Sequence, residues 1–244
     1  MKIIHRLVAS RLWVAIAAAA WCVETYERCD AWVRWTLVAQ VFFFTWLAYL
    51  FLTDDVMRKQ RSSVLVALTG ACVTFQGLDA MKLPLLCAVL VAMYRTHWMP
   101  VSWRLARNSL RNIPIVNNVV IGLCWTTLCM LWPIQQIGIS VESQLPFLAA
   151  AVLWITALSM SEDLFVESTP DATLRLLGEK GIRALAIACI SIALIISLVA
   201  NEQSVSVWIS MSLSILTLLL LPGGKRTPGK SLLIDAMIVL RYPF

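Results

Sequence analysis

The residues best equipped for chemistry are four carboxylates in two pairs, Asp54-Asp55 and Asp163 with Glu167. Asp163 and Glu167 stand four apart, so a helix would carry both on one face. They belong to Ser159–Lys180, a stretch that interrupts strongly apolar sequence with Glu162, Asp163, Glu167 and Asp171. Phe147–Leu158 before it is apolar, and so, apart from Arg183, is Ile182–Ala200 after it. Carboxylates at the mouth of two membrane spans are costly without partners, and ionisable groups at that depth mark a site or a pathway. Asp54-Asp55 closes an earlier apolar run in the same way. Whether the two pairs meet decides the function.

The elements that must position them are membrane helices. Of 244 residues, 60% are hydrophobic and 14% charged, against ~25% charged in a soluble domain. A span takes ~20 mostly apolar residues. The runs Leu12–Val23, Trp35–Thr53, Ser62–Leu78, Met81–Tyr94, Ile115–Ile134, Leu145–Met160, Ile182–Ala200, Val205–Leu221 and Leu232–Leu240 qualify, the first and last being short. The expected fold is all-α: residues 1–244 as a single integral membrane domain, a polytopic bundle of about nine transmembrane helices. The basic Met1–Arg11 stretch leads into apolar sequence without a small-residue cleavage site, so no cleaved leader is expected.

With the N-terminus in the cytoplasm, only Arg28, Arg34, Lys82 and Arg241 of the 20 Lys and Arg fall outside. The positive-inside rule asks for that asymmetry. It puts both acidic pairs on the cytoplasmic face of a membrane, expected to be a bacterial inner membrane. Glu24, Glu27, Asp30, Asp79, Glu142 and Glu202 then read as scattered solvated charges in short outside loops. The net charge of +6 suits a bilayer surface and not nucleic acid, because the basic residues form no single stripe. The seven cysteines, all but Cys29 within spans, have no ligand-like spacing and read as small buried side chains. Among the eleven tryptophans, Trp32, Trp35, Trp98, Trp103 and Trp132 sit near span ends as interfacial belts do. Trp13, Trp21, Trp46, Trp125, Trp154 and Trp208 read as packing residues.

Leu110–Pro133, LRNIPIVNNVVIGLCWTTLCMLWP, resembles the loop and fifth helix of the UbiA-type intramembrane prenyltransferase superfamily. Leu110-Arg111, Ile113-Pro114, Ile121, Trp125 and Pro133 carry the likeness. Members often have a lysine where this chain has Asn117, which makes Asn117 a candidate substrate-binding position. Asp163 and Glu167, followed by Leu176-Leu177-Gly178-Glu179-Lys180, resemble the family's second acidic motif with its LLGEK-like helix start, although the intervening loop is short and lacks a glycine. Leu232-Leu233-Ile234-Asp235 resembles its last span. The first acidic motif is half present. Counted from Asp54, the later carboxylate positions fall on Met57 and Arg61; counted from Asp55, on Arg58 and Ser62.

The resemblance implies prenyl transfer from a prenyl diphosphate to a small, often aromatic acceptor. It makes Asp54, Asp55, Asp163 and Glu167 the catalytic Mg²⁺ ligands. Arg58, Lys59, Arg111, Asn117 and Lys180 become candidates for binding the substrate. The same residues admit plainer roles. Asp54-Asp55 fits a solvated helix end paired with Arg58 and Lys59, Asp163 and Glu167 fit partners such as Arg175 or Arg183, and Arg111 fits a membrane anchor. Because the first motif is incomplete, a catalytically degenerate relative that binds lipid or serves as a membrane scaffold is the alternative.

Overall fold

The computed structural model describes residues 12–52, 61–74, 77, 79–95, 113–166, 172–200, 205–220 and 224–225. These are helical apart from turns and one two-residue strand pairing. The helices are α1 (Leu12–Arg28), α2 (Trp35–Leu52), α3 (Arg61–Val73) and α4 (Lys82–Arg95), the last led in by a 3-10 turn at Asp79–Met81. Then come α5 (Val116–Ile137), α6 (Val141–Asp163), α7 (Ala172–Val199) and α8 (Val205–Leu220).

Three segments are long and apolar enough to cross a membrane: Val116–Ile137 with 22 residues, Val141–Asp163 with 23 and Thr173–Val199 with 27. At 1.5 Å per residue each exceeds the ~30 Å of a bilayer core. Trp35–Phe51, Lys82–Tyr94 and Val207–Leu220 are shorter apolar helices. Leu65, Val66, Leu85, Leu86, Val89, Ile195, Leu198, Leu219 and Leu220 point outward. Water penalises so much exposed apolar surface, and a lipid environment does not.

The core explains the arrangement. Ala15, Ala17 and Ala18 keep α1 slim, and with Trp21, Cys22 and Tyr26 they bury it in the middle of the bundle. Trp21 meets Trp125 of α5 at 6.2 Å and Trp154 of α6, edge to face, at 6.1 Å. Trp125 donates its indole N–H to Tyr49 Oη at 3.1 Å and Trp154 donates to Ser214 Oγ at 3.2 Å. These tryptophans are packing residues. Trp32 and Trp35 are exposed, as belt residues would be, but Trp132 is not: it is fully buried and donates to the Ala80 carbonyl at 2.7 Å.

Pro133 shapes α5. Lacking an N–H, proline removes a donor from the helical ladder, and its ring crowds the carbonyl four residues back, that of Cys129. The helix widens into a π-turn over Thr127–Leu131, with the Trp132 N–H reaching back to the Thr127 carbonyl. The hydroxyl of Thr25 on α1 then donates to the Cys129 carbonyl at 2.9 Å, while also contacting its own Trp21 carbonyl at 3.1 Å.

Consecutive helices run in alternating directions. Trp132, late in α5, meets Ala80 just before α4, and Gln40, early in α2, donates to the Thr74 carbonyl just after α3. At the opposite end of the bundle, Arg183 near the start of α7 donates to the Leu218 carbonyl near the end of α8. There the chain after α6 also pairs in parallel with the chain after α8, Phe165 with Gly224 and Val166 with Lys225. By this alternation Leu52 ends α2 at the end where α5 begins and α6 finishes.

Three expectations change. The seventh helix begins at Ala172, not at Ile182, because the polar run Arg175–Lys180 is helical on both sides of a break at Gly178 (φ 65°, ψ 174°). Few residues but glycine adopt that conformation. Glu24 is not a solvated loop charge: α1 continues to Arg28, and Glu24 is 4% exposed. Arg28 meets it at 3.3 Å, i to i+4, and lies over the Phe147 ring at 4.7 Å. Trp132 is core, not belt. The expected ninth span, Leu232–Leu240, lies outside the described residues.

Candidate functional site

Where α5 starts, α6 ends and α7 starts, polar side chains converge. The approach to α5 is a tight turn at Pro114-Ile115-Val116, with Ile115 at φ 66° and the Val116 N–H donating to the Pro114 carbonyl at 2.7 Å. A β-branched residue at positive φ is a strained outlier, and such outliers gather at functional sites. The Ile115 N–H is taken by Thr173 Oγ1 of α7 at 3.2 Å. The amides that open α5 are also satisfied, Asn117 N–H by the Ile113 carbonyl and Asn118 N–H by the Ile115 carbonyl. This helix start therefore holds the chain together and presents no row of open amides to an anion.

Two adjacent asparagines then do different things. Asn117 is 1% exposed, and its Oδ1 accepts from Thr173 Oγ1 at 3.4 Å. It ties α5 to α7. Asn118, fully buried, turns to α6: its Nδ2 donates to Asp163 Oδ2 at 2.8 Å, and its Oδ1 accepts from Ser159 Oγ at 3.4 Å. Ser159 and Asp163 are i and i+4 on α6, so one face of that helix presents a hydroxyl and a carboxylate to one amide. The carboxylate is half-buried and fixed in direction.

Of the residues singled out by sequence, Asp163 and Asn117 fall at this junction. Lys180 is exposed on α7, just past the break at Gly178. Arg183 holds Glu179 at 2.8 Å on the same helix, and Arg175 is exposed. Asp54, Asp55, Arg58, Lys59, Arg111 and Glu167 lie outside the described residues. Sequence reasoning missed Asn118, Ser159 and Thr173. Their signal was a polar pair opening an apolar helix and a serine one turn before an acid.

Among the described residues no group of three or more His, Cys, Asp or Glu is placed to hold a metal ion. The junction also carries the oxygens of a carboxylate, two amides and two hydroxyls, although the amide group that faces Asp163 is the Asn118 Nδ2. Hard cations take such a set, and Mg²⁺ bound beside substrate phosphates needs only one or two carboxylates from the protein. Asp163 would supply one carboxylate to such a site.

Compared with protein-family models, with curated proteins and with solved structures, the chain finds no match in any of the three, and the functional reading rests on its own residues.

Proposed function

We propose that the protein is a membrane prenyltransferase of the UbiA type, transferring a prenyl group from a prenyl diphosphate to a small acceptor such as an aromatic ring. The observation that carries the reading is the Asn118–Asp163 hydrogen bond. It joins the helix start that resembles the family's fifth span to the carboxylate that resembles its second acidic motif. The alternation of helices supports it, since α2 ends with Leu52 at this same end of the bundle, two residues before Asp54 in the sequence.

In this reading Asp163, with Asp54, Asp55 and Glu167, would hold Mg²⁺, which would supply Lewis-acid stabilisation to a pyrophosphate leaving group. Arg58, Lys59, Arg111 and Lys180 bind the diphosphate and offset its charge. The allylic C–O bond breaks, its electron pair leaves with pyrophosphate, and the prenyl carbon bonds to the acceptor, which gives up a proton. The apolar interior accommodates the prenyl tail and keeps water from the cation. The chain would carry about nine spans, with the N-terminus and the site at the cytoplasmic face of a bacterial inner membrane.

One observation favours a second reading, a catalytically degenerate lipid-binding relative. Asn117, where the family often has lysine, is buried and bonded to Thr173, and the first acidic series is incomplete. Purified protein supplied with labelled prenyl diphosphates decides between the two. Mg²⁺-dependent release of pyrophosphate, lost in Asp163→Asn, supports the enzyme; binding without release in any chain length supports the degenerate relative.

A further inference from the structure

Threonine and serine in buried helices ordinarily return the hydroxyl to a carbonyl one turn back, and this protein does so repeatedly. Thr74 bonds the Gly70 carbonyl at 2.8 Å, Ser161 that of Ala157 at 2.6 Å and Ser214 that of Ser210 at 2.7 Å. Thr126 on α5 and Thr156 on α6 do not. Each is 4% exposed, and neither hydroxyl has a hydrogen-bond partner.

The two belong to one seam. Gly122 lets α5 approach α6 so closely that a Cβ there would overlap Thr156 Oγ1 and come within 2.8 Å of the Val152 carbonyl. The Thr156 hydroxyl thus packs against α5 at Gly122, where that helix carries no side chain. Thr126 follows Gly122 by four residues, on the same face and one turn further in. It sits immediately before the π-turn, where α5 is widened. The residues that flank the two threonines in sequence, Trp125, Ile155 and Ala157, are buried and hydrophobic.

We propose that the seam at Gly122, Thr126 and Thr156 binds a hydroxyl group between α5 and α6. A hydroxyl both donates and accepts, so a single one satisfies two threonines. An uncharged group is expected because the two hydroxyls bring no charge to balance one. Two sources supply this chemistry, an internal water and the head of a membrane-soluble alcohol. The site is about 10 Å along α6 from Asp163, counting seven residues at 1.5 Å each, and it does not depend on prenyl transfer.

Thermal unfolding of the purified full chain tests it. Thr126→Val and Thr156→Val each remove a hydroxyl at nearly constant shape. If the site is filled, each lowers Tm by about 2–4 °C, the double variant by less than the sum, and Thr→Ser at either position restores most of the loss. Added dodecanol that raises the Tm of the native chain but not of the double variant identifies an alcohol head; no response identifies water. Valine variants with Tm equal to or above that of the native chain overturn the proposal, since removing an empty hydroxyl relieves the interior. A density map of the unsubstituted chain in lipid nanodiscs answers the same question without mutation. Density within hydrogen-bond reach of both hydroxyls supports the site, and hydroxyls turned back to the Gly122 and Val152 carbonyls overturn it.

Discussion

Asn118 Nδ2 donates to Asp163 Oδ2 at 2.8 Å, so an amide at the start of α5 sets the direction of the carboxylate at the end of α6. A residue that orients a metal-binding carboxylate typically controls affinity 10- to 100-fold. Asn118→Ala is expected to raise the Mg²⁺ concentration needed for pyrophosphate release by about that factor. A Mg²⁺ titration of the variant measures it, and an unchanged midpoint would remove Asn118 from the site.

Thr25 and Pro133 act as a pair through the Cys129 carbonyl. Thr25→Val should cost about 1 kcal/mol, the usual scale for a hydrogen bond between membrane helices. In a Pro133→Ala background, alanine restores the missing N–H, and Thr25→Val should cost less. A double-mutant cycle read by unfolding in detergent checks this. Strictly additive effects would separate the threonine from the proline.

Gly178 holds φ 65° and ψ 174° within α7. Gly178→Ala is expected to destabilise the protein by roughly 1–3 kcal/mol, the cost of forcing a side chain into that region. Gly181→Ala, three residues past the break, provides the comparison; its Cβ would meet only Leu177 Cβ at 3.0 Å. Equal losses at the two glycines would show that the break is not what Gly178 secures.

Cys29 follows α1 in the turn before α2, and burial raises its thiol above the ordinary value of 9.0, outweighing the lowering by Arg28. A thiol is nucleophilic only as thiolate, so its alkylation should lag that of a free cysteine at neutral pH. The rate should keep climbing with pH after the free thiol has levelled off. The proposed topology puts this turn outside, where an impermeant maleimide added to intact cells should reach Cys29. Labelling only after the membrane is opened would invert the orientation.

The sequence showed the helices where composition is unambiguous. Trp35–Thr53 and Val205–Leu221 differ by a single residue from α2 and α8, because apolar runs that end in charge or turn residues leave little choice. It failed where a helix carries its own charges. Arg175, Glu179, Lys180 and Arg183 concealed the first turns of α7, although Arg183 and Glu179 satisfy each other within it. Glu24 read as solvated because Arg28, one turn on, was placed beyond the span. Asp163 was legible as an acid in apolar surroundings. Asn118, Ser159 and Thr173 were not, because small polar groups barely disturb hydropathy and only the folded chain brings them to one place. The π-turn was equally hidden: Pro133 was visible, but the hydroxyl that takes up the Cys129 carbonyl comes from Thr25 on α1, 104 residues before Cys129.

The short parallel pairing of Phe165-Val166 with Gly224-Lys225 fastens the chain that leaves α6 to the chain that leaves α8. Phe165 comes two positions after Asp163, so the acid is tethered through its own backbone to sequence near the far end of the polypeptide. Shortening the protein before Gly224 would untie that knot while leaving α1–α8 whole. The rim of the bundle around Asp163 would then lose its fastening before the barrel lost any wall.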